Sequence, residues 1–217
     1  MGAKDWMLMY ADAEVRPILQ STPPIDRGAT AALVERLHPG RHVSWIGDGT
    51  LSEQANPPDH QVYAGCFAEL TIVCSGEVAL DRPSALDPRF LEEAAGRTVY
   101  LHAMHSVVDW FAYAVWEGDG ALRRSLSLAP DHGIMERIGM PMAFEEPYWA
   151  GEHPLDIDDD EDERLPPYPF PFHPLDLAEG ALRALFGFNY EGLYHDDDPN
   201  LEDIVLMGFA IGSSASH

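Results

Sequence analysis

The chain has 217 residues, 46% of them apolar, and 37 acids against 13 bases give a formal net charge of −24. That length and apolar content are enough to bury a sizeable core. The acidity excludes nucleic acid and anionic membrane, which need basic surface, and leaves a basic protein as the class of partner the charge allows.

No stretch reads as a secretory signal or a membrane span, so a cytoplasmic protein is expected. Cys66 and Cys74 are too few for a disulfide framework and read as buried thiols. Arg used almost without Lys, beside abundant Ala, Gly, Pro and Asp, points to a high-GC genome; the single lysine is Lys4.

In chain order, residues 6–11 (WMLMYA) read as a first strand, and Asp26 as the N-cap of a helix over 27–37 closed by Pro39-Gly40. A strand over 42–46 and a surface loop over 47–60, rich in Gly, Asn, Pro and Asp, follow. Residues 68–74 are a strand, Asp87-Pro88 opens a helix that ends at Gly96, and 98–102 is another strand.

Residues 107–128 then form a β-hairpin. Its first strand is apolar on both faces, as an interior strand covered twice should be. The second alternates Leu122, Leu126 and Leu128 with Arg123, Ser125 and Ser127, as a half-exposed strand near an edge. A two-residue Asp119-Gly120 turn pairs Tyr113 with Leu126, Phe111 with Leu128 and Trp116 with Arg123. Gly118 also permits a three-residue loop, a slip that reverses those pairs.

Beyond Leu128 the pattern changes. Residues 134–144 read as irregular, 156–163 (DIDDDEDE) as a solvated loop, and 166–174 as an extended Pro-rich run. Asp176 with Glu179 has the pattern of a capping box opening a helix to Phe186, with Gly187 as its stop. A last helix is expected from Asp198-Pro199, with Leu201, Ile204, Val205 and Gly208 on one face.

The first two stretches look alike: Met7–Tyr10 and Leu70–Val73 are matched strands, and Gly40-Arg41-His42-Val43 matches Gly96-Arg97-Thr98-Val99. The expected fold is therefore α+β with a mixed sheet, built from two diverged strand–helix–strand units of about 1–64 and 65–128. A right-handed crossover makes the strands within each unit parallel. The hairpin extends the second unit, and 129–217 wraps the core as a two-helix extension, covering Trp110 and Trp116, rather than forming a domain of its own.

Parallel strand ends are where α/β proteins gather ligand groups. Asp12, Glu14 and Asp48 sit there and are the residue types that hold Mg²⁺, while the turn at Gly47-Asp48-Gly49 brings amides that suit a phosphate. His102 and His105 suit Zn²⁺, or activation of a nucleophile near Cys74 and Ser75, although a strand points residues three apart to opposite faces. The bland alternatives are solvated loops for the acids and packing for the histidines. Alternating acids at 156–160 and the run His195-Asp196-Asp197-Asp198 suggest Ca²⁺, but Glu161 stands where an EF-hand loop needs Gly. Trp110, Trp116, Tyr148 and Trp149 form a candidate partner surface between hairpin and extension, with simple packing as the alternative.

At PYWAGE (147–152), PFHPLDL (171–177), LFGF (185–188) and the MGAK start, the sequence resembles an actinobacterial family of uncharacterised proteins. The resemblance spans nearly the whole chain. It implies a cytoplasmic bacterial protein and transfers no catalytic residue. The leading expectation is a nonenzymatic binding protein, such as an inhibitor or immunity-type factor for a basic protein partner, with no cofactor. The alternatives are a metal-dependent enzyme acting on a small phosphorylated or acyl substrate, and a subunit of a larger assembly.

Overall fold

The computed structural model describes residues 3–155 and 168–212. The acidic stretch 156–163, the first residues of the Pro-rich run and the last five residues lie outside that description. Nine strands among the described residues form one sheet: β1 (Lys4–Ala11), β2 (Val43–Thr50), β3 (Gln61–Cys66), β4 (Leu70–Cys74), β5 (Thr98–His105), β6 (Trp110–Trp116), β7 (Leu122–Ala129), β8 (Gly133–Ile138) and β9 (Val205–Ile211). Their order across the sheet is β2-β9-β3-β4-β1-β5-β6-β7-β8.

Every ladder is antiparallel, which corrects the expected mixed sheet. β1 lies between β4 and β5, while β4, β3 and β9 separate β1 from β2. The two strands of each unit do run the same way, but other strands are inserted between them and they share no hydrogen bonds. The two units also differ in their ladder partners, since β2 pairs with β9 and β5 with β1 and β6.

Both faces of the sheet are covered. On one, α2 (Arg27–Leu37) and α4 (Pro88–Glu92) pack Leu33, Val34, Leu37 and Phe90 against Leu8, Tyr10, Leu101, Trp110 and Trp116. On the other, α1 (Val15–Gln20), α5 (Glu146–Trp149) and α6 (Pro174–Phe186) cover Met7, Met9, Phe111, Tyr113, Leu126 and Leu128. The extension thus lies over Phe111 and Tyr113, whereas Trp110 and Trp116 are buried on the opposite face, beneath residues of the 76–94 connection. Alternation along β6 forces this: the extension can cover only one parity of a strand.

Local signals behave as chemistry dictates. The Asp26 carboxylate accepts from Ala29 N at 2.9 Å, Asp87 caps α4, and Gly187 closes α6 with φ 83°. The hairpin uses the three-residue loop, with Glu117 and Ala121 paired and Gly120 at φ 83°. A bulge at Arg123 then absorbs the slip, so Tyr113 still faces Leu126 and Phe111 faces Leu128, but Trp116 faces Leu122. The bulge turns Leu122 onto the face of Trp116, while Arg124 keeps the parity of Leu126 and Leu128.

Three expectations are corrected. The 134–144 segment contains β8, which makes β7 the strand next to the edge. The 47–60 loop contains the end of β2 and a short helix, α3 (Leu51–Gln54), before β3. The last helix is a single turn over Leu201–Asp203 followed by β9, inserted between β2 and β3. A strand covered on both faces is apolar throughout, and such a run does not distinguish helix from strand by period. Gly208 fits this reading: a Cβ there would lie 2.6 Å from the Tyr63 ring across the ladder.

Candidate functional site

The acids expected to gather at parallel strand ends do not meet. Asp48 lies on edge strand β2, four ladders from β1, roughly 19 Å at the usual interstrand spacing. Its carboxylate pairs with Arg27 of α2 and accepts from Trp45 Nε1 at 3.3 Å, and the Arg27 hydrogen bonds hold it below the ordinary carboxylate range. Asp12 follows β1, and Glu14 precedes α1 without capping it through its side chain.

His102 and His105 point to opposite faces. His102 is fully buried under α6. Its Nε2 lies 3.1 Å from the Ala178 carbonyl, an acceptor, so this nitrogen carries the proton. Its Nδ1 lies 2.8 Å from Asp5 Oδ1, and the two groups share one proton. Burial raises the Asp5 pKa, opposed in part by the charge and hydrogen bond of His102. The pair is a neutral strut joining β1, β5 and α6.

Cys74 is too far away to serve as a nucleophile. Cys74, Met7 and His102 form one cross-strand row with Met7 in the middle, and burial pushes the Cys74 thiol far up. A thiol reagent should therefore modify the partly exposed Cys66 slowly in the native protein and reach Cys74 only in denaturant. Two rapid native equivalents would contradict this packing. Among the described residues no three His, Cys, Asp or Glu side chains are grouped to hold a metal ion, so neither proposed metal set is assembled.

The four aromatics do not form one groove. Trp110, Trp116 and Tyr148 are buried, on two different faces of the sheet. Tyr148 stacks on His153 and donates to the Asp176 carbonyl, while Trp149 Nε1 donates to Glu145 at 3.0 Å beneath the Arg137 guanidinium. Glu145 itself was not singled out by sequence. It is fully buried with Arg124, which donates to it from Nε at 2.8 Å and Nη2 at 2.6 Å.

What faces outward is a different surface. Glu179 and Arg183 of α6 hold the chain that follows it: Glu179 accepts from the amides of Tyr190 at 2.8 Å and Glu191 at 3.2 Å, and Arg183 binds Asp198 and the Leu193 carbonyl. This frees Glu179 from the capping-box role; His173 caps α6 instead, through Nδ1 to Leu175 N. The held segment presents Leu193 at 82% and Tyr194 at 73% exposure among the exposed acids Glu191, Asp196, Asp197, Glu202 and Asp203. Beside them is a groove of about 350 Å³ lined by Phe188, Tyr190, Tyr194, His195 and Asp198. The only sequence signal was an apolar pair inside an acidic, Gly-bearing stretch.

The class defined by this geometry is an acidic α+β protein in which a buried charged pair, Arg124–Glu145, links the extension to one antiparallel sheet. The chain belongs to the family of unknown function DUF6928, whose model matches residues 5–209. No curated protein and no solved structure matches it. No helix among the described residues is long and apolar enough to cross a membrane.

Proposed function

We propose that this is a nonenzymatic binding protein whose partner is a basic protein docked on the 187–203 surface, in the manner of an inhibitor or immunity-type factor. The observation that carries the reading is the exposure of Leu193 and Tyr194 within a ring of acids. Such apolar and aromatic anchors supply binding energy when covered, and surrounding charge sets steering and register. The net charge of −24 adds long-range attraction for a basic partner. We place it in the cytoplasm of an actinobacterium, on the Arg-for-Lys usage and the resemblance carried by its PYWAGE, PFHPLDL and LFGF segments, and read its two strand–helix–strand units as diverged copies.

Immobilised protein should retain a basic protein from a lysate of its source at low salt and release it at 0.5 M salt, on the order of a threefold shorter screening length. Tyr194→Ala, a change at an exposed position, should weaken retention about tenfold or more. Retention indifferent to salt or to this substitution would overturn the proposal.

A second reading, a subunit of a larger assembly, is supported by the open edge at β8, where Ile138 and Met140 are exposed at 40% and 82%. Light scattering separates the two: a monomer at micromolar concentration removes the second.

A further inference from the structure

The groove beside Leu193 combines a fixed aromatic wall with an open carboxylate. Its volume is about 350 Å³, and Phe188, Tyr190, Tyr194 and Glu202 are among the residues that line it. The Tyr194 ring is 73% exposed, yet its hydroxyl donates to the Tyr190 carbonyl at 3.0 Å, which ties the ring down at the groove. Tyr190 in turn packs edge-on against buried Phe188, with ring centres 5.7 Å apart at 67°, so the aromatic wall rests on the core. A ring held in place before a ligand arrives binds without the cost of ordering it.

The acids of this surface are not equivalent. Asp197 pairs with Arg16 at 2.6 Å, Arg183 donates to both Asp198 oxygens, and Asp203 accepts from Asn200 Nδ2 at 2.8 Å. Asn200 also accepts from the Glu202 amide at 3.2 Å, which fixes the single turn that carries Glu202. The Glu202 carboxylate is different: it is exposed, belongs to a residue lining the groove, and meets no donor among the described residues. Its charge is open to a ligand that also reaches the Tyr194 ring.

We propose that this groove takes an arginine side chain of the partner, its guanidinium stacked on the Tyr194 ring and forked onto the Glu202 carboxylate. The inference rests on the reading of 187–203 as the docking surface for a basic protein, and names the group that seats it. A planar guanidinium satisfies both walls at once: its face stacks on an aromatic ring while its edge donates two parallel hydrogen bonds to a carboxylate. A lysine ammonium, a compact and strongly hydrated charge, has neither the face nor the fork. The net charge of −24 favours a cation in this groove over a neutral or anionic occupant.

The test is an NMR titration of the full chain with N-acetyl-arginine amide, followed at the Tyr194 ring cross-peaks, identified as those missing from Tyr194→Leu. These peaks should move saturably, with a Kd in the millimolar range. N-acetyl-citrulline amide, of the same shape without the charge, should leave them unmoved, and N-acetyl-lysine amide should bind about threefold or more weaker. Glu202→Gln should weaken arginine binding about fivefold or more while the rest of the spectrum stays in place, as suits an exposed position. A shift that never saturates, an equal response to the citrulline or lysine compound, or an unchanged affinity in Glu202→Gln each overturns the inference. Capture from a lysate reads the partner separately. A basic protein retained by a groove that fails these titrations overturns the arginine assignment and leaves the docking surface, whereas a groove that passes them with no protein retained overturns the docking surface and leaves a guanidinium site.

Discussion

Replacing Arg124 with Met is expected to lower the unfolding free energy by about 3–5 kcal/mol, because it strands a fully buried carboxylate. Glu145 collects most of the polar contacts that fix the extension to the sheet: both Arg124 nitrogens, the Tyr113 hydroxyl, Met142 N at 2.7 Å and Trp149 Nε1. Burial pushes the Glu145 carboxyl up, yet the Arg124, Tyr113, Met142 and Trp149 donors more than offset this and hold it below the ordinary glutamate range. The sign follows: stability from this group is present above the unfolded pKa and is lost as pH falls through the lower folded value. On the other side, Arg124 donates to the carbonyls of Ile138 at 3.1 Å and Gly139 at 3.0 Å, so one guanidinium links β7, the end of β8 and the start of α5. Urea unfolding of Arg124→Met, Glu145→Met and the double variant separates the pair from its parts. The double variant should recover a large part of the single losses, since two apolar side chains of similar volume leave no charge unpaired. Single losses below about 1 kcal/mol, or a double variant at the sum of the singles, would show that the pair is not sealed.

The second large effect is a dependence on pH with the opposite sign. Glu179 is half-buried on α6, and burial pushes its carboxyl up to about 7, against the lowering effect of the Tyr190 and Glu191 amides and of His102, with Asp5 adding to the rise. The folded protein therefore holds a proton that the unfolded chain has released between about pH 4.5 and pH 7. Stability contributed by this proton is complete below the unfolded pKa and is lost as pH rises through the folded value. After discounting for partial exposure, the loss across that window is about 2 kcal/mol. Glu179→Gln, which keeps an acceptor for one amide, should flatten this part of the stability–pH curve and be the more stable protein at pH 8. A wild-type curve that climbs steadily from pH 5 to pH 8, or one that Glu179→Gln leaves unchanged, would contradict the placement of this side chain.

Local elements were legible where one residue's chemistry settles the matter. Asp26 and Asp87 offer carboxylates to first-turn amides, Gly187 adopts the conformation other residues avoid, and the two-sided apolar run of β6 requires cover on both faces. The hairpin register was half legible: Gly118 allowed the longer loop, but only the ladder shows that Arg123 bulges to restore Tyr113 opposite Leu126. The bulge turns Leu122 to the face of Trp116, whereas Arg124 keeps the parity of Leu126 and Leu128 and so is a buried cation. Its partner lies 21 residues on, in a stretch where no period connects them.

The candidate site was the least legible part. The inference from Asp12, Glu14 and Asp48 required β1 and β2 to be neighbours, and β4, β3 and β9 intervene. The inference from His102 and His105 failed by the parity of a strand, which places one under α6 and the other against Trp6 on the opposite face. Nothing in the spacing of Trp6 relates it to Trp110, more than a hundred residues away, although the two rings pack edge to face.

By itself the sequence determined the charge, the caps and turns, and the presence of a doubly covered strand, because each depends on composition or on residues a few positions apart. Only the tertiary structure decided the strand order, the all-antiparallel sheet, the strand nature of residues 205–211 and the face on which each aromatic lies. Those are choices among pairings whose local patterns are equally apolar, made by which faces can be covered at once and which buried charges meet a partner.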